Sequence, residues 1–205
     1  MKKYLINSIN NINTANFSTT FAKSIEKEKK VLLISLLRKE TNIEDFFEND
    51  GMITYDLADY FLGYTQKNKI ITKVNDNIDI ILSPLIEEKF KPDKKNLQDL
   101  LEDLDYEFII FDGADFSLFD DGIKVFATDE NLVMEDSDYF YIDNVDSYFS
   151  DRKKFIEING ITSKYLGFNK KNDDYTEIVQ NLLSESEKKV SKLSFFEKLK
   201  EKFGK

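Results

Sequence analysis

Short aliphatic runs alternate along this chain with longer stretches in which apolar residues recur every third or fourth position. KKYLIN at the amino end predicts a strand, and Thr14 to Glu28 predicts a helix with Phe17, Phe21 and Ile25 spaced by four on one face. KKVLLISLL is a continuous aliphatic run bounded by charges, the pattern of a strand covered on both sides. TNIEDFF predicts a short helix behind a cap at Thr41 or Asn42, and Tyr55 to Leu62 another, closed by Gly63. NIDIILSP reads as a strand ended by Pro84, about Lys95 to Leu104 as a helix, DYEFIIFDGAD as a strand and turn, and IKVFATD as a strand. Glu130 to Phe149 reads as mostly helical, although its YFYI also fits a strand. KKFIEING is expected to be the last strand, FNKKNDD (168–174) a linker-like piece, and Tyr175 to Phe203 one or two helices. Strands separated by helices predict an α/β fold: a mostly parallel central sheet with helices on both faces.

Composition narrows the chemistry. At 205 residues, 41% hydrophobic and 33% charged, the chain is too apolar for disorder and long enough for one substantial core. It has no Cys and no His, which excludes disulfides, thiol nucleophiles, His-based acid–base chemistry, an ordinary Ser-His-Asp triad and zinc sites of the usual type. The apolar run behind the two amino-terminal lysines is only Tyr4 to Ile6, too short for a signal peptide or a spanning helix, so a cytoplasmic location is expected. Residues 1–40 carry net +5 and residues 184–205 net +3, so the middle of this −10 chain carries −18. A middle that acidic repels phosphate backbones, which disfavours nucleic acid as a partner. The acidic clusters at 115–122 and 134–138 lack the spacing of a calcium loop, and the aromatic run YFYIDNVDSYF is interleaved with aspartates, which suits packing better than base stacking.

The first strand-to-helix turn, SINNINT, occupies the place where an open parallel sheet binds its ligand. A phosphate loop there needs glycines that let backbone N–H groups converge, a lysine for charge and a Ser/Thr hydroxyl for magnesium. At this point the chain resembles the MinD/ParA-type ATPases, a deviant branch of the P-loop NTPases whose amino end reads roughly GKGGVGKTT after the first strand. That motif falls on Ser8 through Asn16. Its lysines become Ile9 and Thr14, three glycines become Asn10, Asn11 and Asn13, and the magnesium threonine becomes Ala15. KKVLLISLL resembles the family's second strand, with its two acidic positions falling on Ser35 and Leu37, and DYEFIIFDGAD resembles its YDFIIIDTPAG, keeping the aspartate as Asp112. By the same resemblance, KKFIEING would place an adenine-contacting asparagine at Asn159. The likeness covers nearly all of residues 1–168. Asparagine tolerates left-handed backbone, so the turn's shape would survive without its charge. Asn10, Asn11, Asn13, Thr14, Asp112 and Asn159 are thus the candidate positions of a vestigial cofactor site.

The last stretch, KKVSKLSFFEKLKEKFGK, is amphipathic. At 100° per residue Leu193, Phe195, Phe196, Leu199 and Phe203 fall within an arc of roughly 160°, with Glu197, Lys198, Glu201, Lys202 and Lys205 opposite and Lys192 and Lys200 in or beside the apolar arc. A basic helix with bulky apolar residues on an acidic chain fits an anionic membrane face or a partner. MinD-type proteins end in a similar tail. The expectation is therefore a MinD/ParA-like pseudo-ATPase: residues 1–183 form a MinD/ParA-like α/β domain and 184–205 an amphipathic helix, acting as a non-catalytic positioning or scaffold protein with no cofactor, with a protein partner or a second copy of itself as a homodimer. Docking would use Leu193, Phe195, Phe196, Leu199, Lys200 and Phe203, placing the chain peripherally on the inner membrane face. Two alternatives stand: a divergent but active ATPase switch using ATP and Mg, and a soluble partner-binding module whose last helix packs on its own core.

Overall fold

The computed structural model describes residues 1–9, 12–27, 29–47, 54–86, 89–171, 174–197 and 199. Among these, eight strands form one sheet: β1 (Lys2–Ser8), β2 (Val31–Ser35), β3 (Thr72–Lys73), β4 (Ile78–Ile81), β5 (Phe108–Asp112), β6 (Ile123–Thr128), β7 (Tyr139–Val145) and β8 (Lys164–Lys170). The order across the sheet is β3-β4-β2-β5-β1-β6-β7-β8, and every pairing is parallel except the two-residue edge strand β3 against β4. The helices are α1 (Ala15–Ile25), α2 (Leu57–Phe61), α3 (Lys67–Ile70), α4 (Lys94–Leu101), α5 (Phe155–Asn159) and α6 (Thr176–Leu183), with 3₁₀ turns at Ile43–Phe46 and Phe116–Leu118.

Strand side chains alternate between two cores because the pleat has period two. Tyr4, Ile6 and Leu33 face the layer of α1 and α6, where the Phe17 ring packs tilted against Tyr141 and edge-on to Tyr175. Leu5, Leu32 and Ile34 face the layer of α2, α4 and α5. Buried on both faces, the inner strands read as unbroken aliphatic runs. The mostly parallel sheet with helices on both faces is the architecture the pattern predicts.

Three segments differ from expectation. The segment read as mostly helical, Glu130 to Phe149, contains β7: its aromatic and β-branched residues are buried whichever way they point, because Tyr139 and Tyr141 fill one core and Phe140 and Ile142 the other. KKFIEING is not a strand but α5. Its F-I-E-I alternation imitates a strand, yet only Ile158 is buried while Ile156 is exposed, and the Gly160 N–H donates to the carbonyls of Ile156 and Glu157 in a helix end. The last strand is β8, which takes Phe168 to Lys170 from the linker-like piece.

After α6 the chain does not leave the body. The Lys188 N–H donates to the Tyr165 carbonyl at 2.7 Å, its ammonium lies 4.7 Å from the Phe168 ring centroid, and Val190 packs against the second core. Residues 195–197 and 199 are helical. Among the described residues no helix is long and apolar enough to cross a membrane.

Candidate functional site

The carboxyl ends of β1, β5 and β2 meet at one corner, and the β1–α1 turn lies over it. Parallel pairing puts Ile6 beside Asp112 and Ser35 beside Asp112 on the other side, so the aspartate ends the central strand between its neighbours. Asp112 is buried, and its Oδ1 accepts hydrogen bonds from Thr14 Oγ1 and Ser18 Oγ, both at 2.7 Å. Thr14 and Ser18 stand four residues apart at the start of α1, hence on the face turned toward β5. Burial pushes the Asp112 carboxyl up from its ordinary range, opposed by the hydroxyls of Ser18 and Thr14 and by the charge of Lys39.

The turn itself is tied by its own polar groups. Ser8 Oγ donates to the Ile12 carbonyl at 2.9 Å, and the Ile12 N–H donates to the Ile9 carbonyl. Asn13 bridges outward: its Oδ1 accepts from the Ala15 N–H at 2.9 Å and its Nδ2 donates to the Thr41 carbonyl at 2.6 Å. The amide that a phosphate would use at the head of α1 is thereby capped by an asparagine side chain. Ile12 drives its side chain into the first core, which pins the middle of the turn.

Among the described residues, Lys39 brings a cation to this corner. The Lys39 ammonium donates to the Ile12 carbonyl and stands 3.3 Å from Ser8 Oγ, held there because Asn42 brackets the Lys39 backbone, accepting from its N–H at 3.0 Å and donating to its carbonyl at 2.9 Å. Burial lowers the Lys39 ammonium's pKa, and Asp112 opposes that shift. Across from it, Gly113 has φ +73°, and a Cβ built there would lie 2.6 Å from the Leu37 Cβ. Only glycine allows that approach. Leu37 therefore sits on Gly113 where the resemblance would place an acid, and the other acid position, Ser35, is a buried hydroxyl. Beside this corner an open cleft of about 750 Å³ runs over the strand ends, lined in part by Leu36, Leu37, Pro84, Phe90 and Leu118.

The sequence-predicted residues are only partly brought together. Thr14 and Asp112 touch, and Asn13 adjoins them; Asn10 and Asn11 lie outside the described residues. Asn159 is elsewhere: at the end of α5 its Nδ2 donates to the Phe155 carbonyl, and it shares a cleft with Ser163 and Tyr165 at the amino end of β8, the edge of the sheet away from Asp112. Asparagines do stand at the carboxyl ends of strands at Asn7 of β1, Asn144 of β7 and Asn169 of β8, Asn144 in left-handed backbone at φ 57°. Ser18 and Lys39 were not singled out from the sequence. Thr14-x-x-x-Ser18 inside an otherwise apolar helix face was a legible signal for the first, while nothing in LLRKETN marks Lys39 as turning inward.

The carboxyl-terminal residues present a different surface. Ser194 and Glu197 form a reciprocal cap, the Ser194 N–H donating to Glu197 Oε2 at 2.8 Å and the Glu197 N–H to Ser194 Oγ at 3.3 Å. Arg152, just before α5, grips the same carboxylate through both terminal nitrogens, one at 2.9 Å, and points at the carbonyls of Ser191 and Lys192. Phe195 and Phe196 are 72% and 76% exposed, Leu193 and Leu199 are half-buried, and Lys200 and Phe203 lie outside the described residues.

No family model matches the chain, and no curated protein matches it. Solved structures do. A plasmid partition protein from Borrelia burgdorferi superposes with a TM-score of 0.63 at 16% identity, over 90% of this chain and 98% of that one. A MinC:MinD cell division protein complex from Aquifex aeolicus gives 0.65 at 14% identity, over 90% and 89%. A putative plasmid partition protein from Borrelia burgdorferi, bound to AMPPNP, gives 0.60 at 16% identity, over 90% and 98%. By sheet order, helix placement and superposition, this chain has the P-loop NTPase-like fold of the MinD and ParA-type proteins.

Proposed function

We propose that this chain is a MinD/ParA-like protein that has given up nucleotide hydrolysis and works as a positioning or scaffold protein, docking through its terminal helix on an anionic membrane face while its body holds a protein partner. The observation that carries the reading is the closed corner at Asp112. Phosphoryl transfer is positioning and electrostatics, and it needs free N–H groups, a cation and a hydroxyl for metal. Here the Thr14 and Ser18 hydroxyls are spent on Asp112 and the Ala15 N–H on Asn13, while Lys39 is engaged by the Ile12 carbonyl. Exposure of Phe195 and Phe196 supports docking over packing of the last helix on its own core.

Titration calorimetry with ATP and magnesium, paired with a phosphate-release assay, tests the reading. The expected outcome is no saturable binding below millimolar nucleotide and no turnover above background. Micromolar binding with turnover would overturn it in favour of a divergent ATPase switch. Lys39 is the observation that favours this second reading, since a half-buried ammonium beside the turn is one ingredient of a phosphate site. Under that reading Lys39→Met would abolish the binding.

A further inference from the structure

The tail runs alongside α5. Residues Glu187 to Val190 share a cleft with Ile158, Thr162 and Ser163, and residues 191–197 wrap the guanidinium of Arg152. The stretch of α5 between these two anchor points carries Ile156, which is 75% exposed although its helix neighbour Ile158 is buried. An isoleucine left in solvent four residues after Arg152, whose guanidinium holds the Glu197 carboxylate beside two phenylalanines left in solvent, is apolar surface without cover among the described residues. Lys189 and Lys192 are exposed on the tail around it, and residues 184–205 carry net +3 on a chain of net −10.

From this juxtaposition we infer that the membrane-docking element is a rigid corner of the domain and not a tethered helix: Arg152 clamps the start of the terminal helix to α5, so that Ile156 enters an anionic lipid surface together with Phe195 and Phe196. The inference rests on the docking part of the proposed function. An anionic bilayer is the occupant that the charge favours. The apolar side chains carry no polar atoms to satisfy, which suits the acyl boundary, and lysine stems run to the headgroup level. The clamp has a mechanical consequence. A helix on a free linker would leave the domain tumbling above the membrane, whereas one fixed through Arg152 to α5 holds the sheet in a single orientation. Less freedom is then lost on docking, so the second contact strengthens the first.

The test uses the full chain with phosphatidylglycerol-containing vesicles and pure phosphatidylcholine vesicles, read by sedimentation and by amide exchange. The expected result is binding to the anionic vesicles alone, with protection over residues 155–160 as well as 193–199. Ile156→Asp should weaken binding about tenfold, the scale of one buried aliphatic side chain. Arg152→Ala should remove the α5 protection while that of the terminal helix persists. Protection confined to the tail, with Ile156→Asp neutral and removal of residues 194–205 abolishing binding, would overturn the corner and leave the docking reading standing. Undiminished binding after that truncation, or no binding of the full chain to either vesicle, would overturn both and leave the corner to a protein.

Discussion

The head of α1 and the tail of the chain treat their functional groups in opposite ways. At the head, the Thr14 and Ser18 hydroxyls close on a buried aspartate and Asn13 caps the helix that follows it. At the tail, the polar groups of Ser194, Glu197 and Arg152 are likewise paired, but two phenylalanines are held out in water. A group already satisfied inside the chain contributes little to a ligand, because binding must first break what holds it. Apolar area still in contact with water has its transfer free energy in reserve. The difference teaches where apolar area and where paired polar groups lie: the tail keeps uncovered apolar area in water, while the hydroxyls at the Asp112 corner are already engaged within the chain.

The sharpest way to break the comparison is at the head. Asp112→Ala leaves two buried hydroxyls without their acceptor, and should cost about 2–3 kcal/mol in denaturant unfolding. Asp112→Asn keeps an oxygen for both hydroxyls and removes a buried charge, so a loss of no more than about 1 kcal/mol is expected. Equal losses in the two variants would mean that the charge, and not the hydrogen-bonded closure, holds the corner.

A smaller effect is expected at Lys39. Lys39→Met removes a donor from the Ile12 carbonyl but also relieves a poorly hydrated ammonium, for a net loss of about 1 kcal/mol. Its signature is the pH dependence. A carboxyl whose folded pKa is raised contributes stability that is present below its ordinary value and lost as pH rises through the folded value. Asp112 behaves so, with Lys39 opposing the rise. Without Lys39 the fall in stability between acidic and neutral pH should steepen; unfolding midpoints measured at pH 4 and pH 7 decide it, and an unchanged slope would place Lys39 outside the field of Asp112.

How much of this was legible in the sequence follows from where each signal lies. The inner strands announced themselves, since VLLIS and FIIFD are aliphatic on both faces. The Asp112 end of the central strand, the turn over it and the aromatic tail were all visible as patterns. β7 and α5 were not, for a shared reason: a short apolar run buried on every side carries no periodicity, and F-I-E-I serves a five-residue helix as well as a strand when one isoleucine is left outside. Misplacing that strand carried Asn159 to the wrong edge of the sheet. Lys39, Leu37 on Gly113, and Arg152 on Glu197 are contacts between segments far apart in the chain, 27, 76 and 45 positions, and local pattern holds no trace of such pairings.

The smallest expected effect is at the tail, and it has the opposite sign from Asp112. Glu197 is held down to about 2 from an ordinary 4.5, first by the Ser194 hydroxyl and then by Arg152. A carboxyl with a depressed pKa supports its contacts above the ordinary value and loses them as pH falls through the lowered one. Attachment of the tail should therefore stay constant from pH 7 to pH 4.5 and loosen only toward pH 2, while the Asp112 contribution to the body grows over the upper part of the same acidification. Amide exchange of residues 194–197 against that of β5 separates the two. Glu197→Gln should speed exchange at the tail without moving the unfolding midpoint, because an exposed pair anchors its own segment and adds little to the core. A midpoint that fell with Glu197→Gln would mean the tail is part of the folding unit, and the contrast between a closed head and an open tail would then describe one cooperative structure.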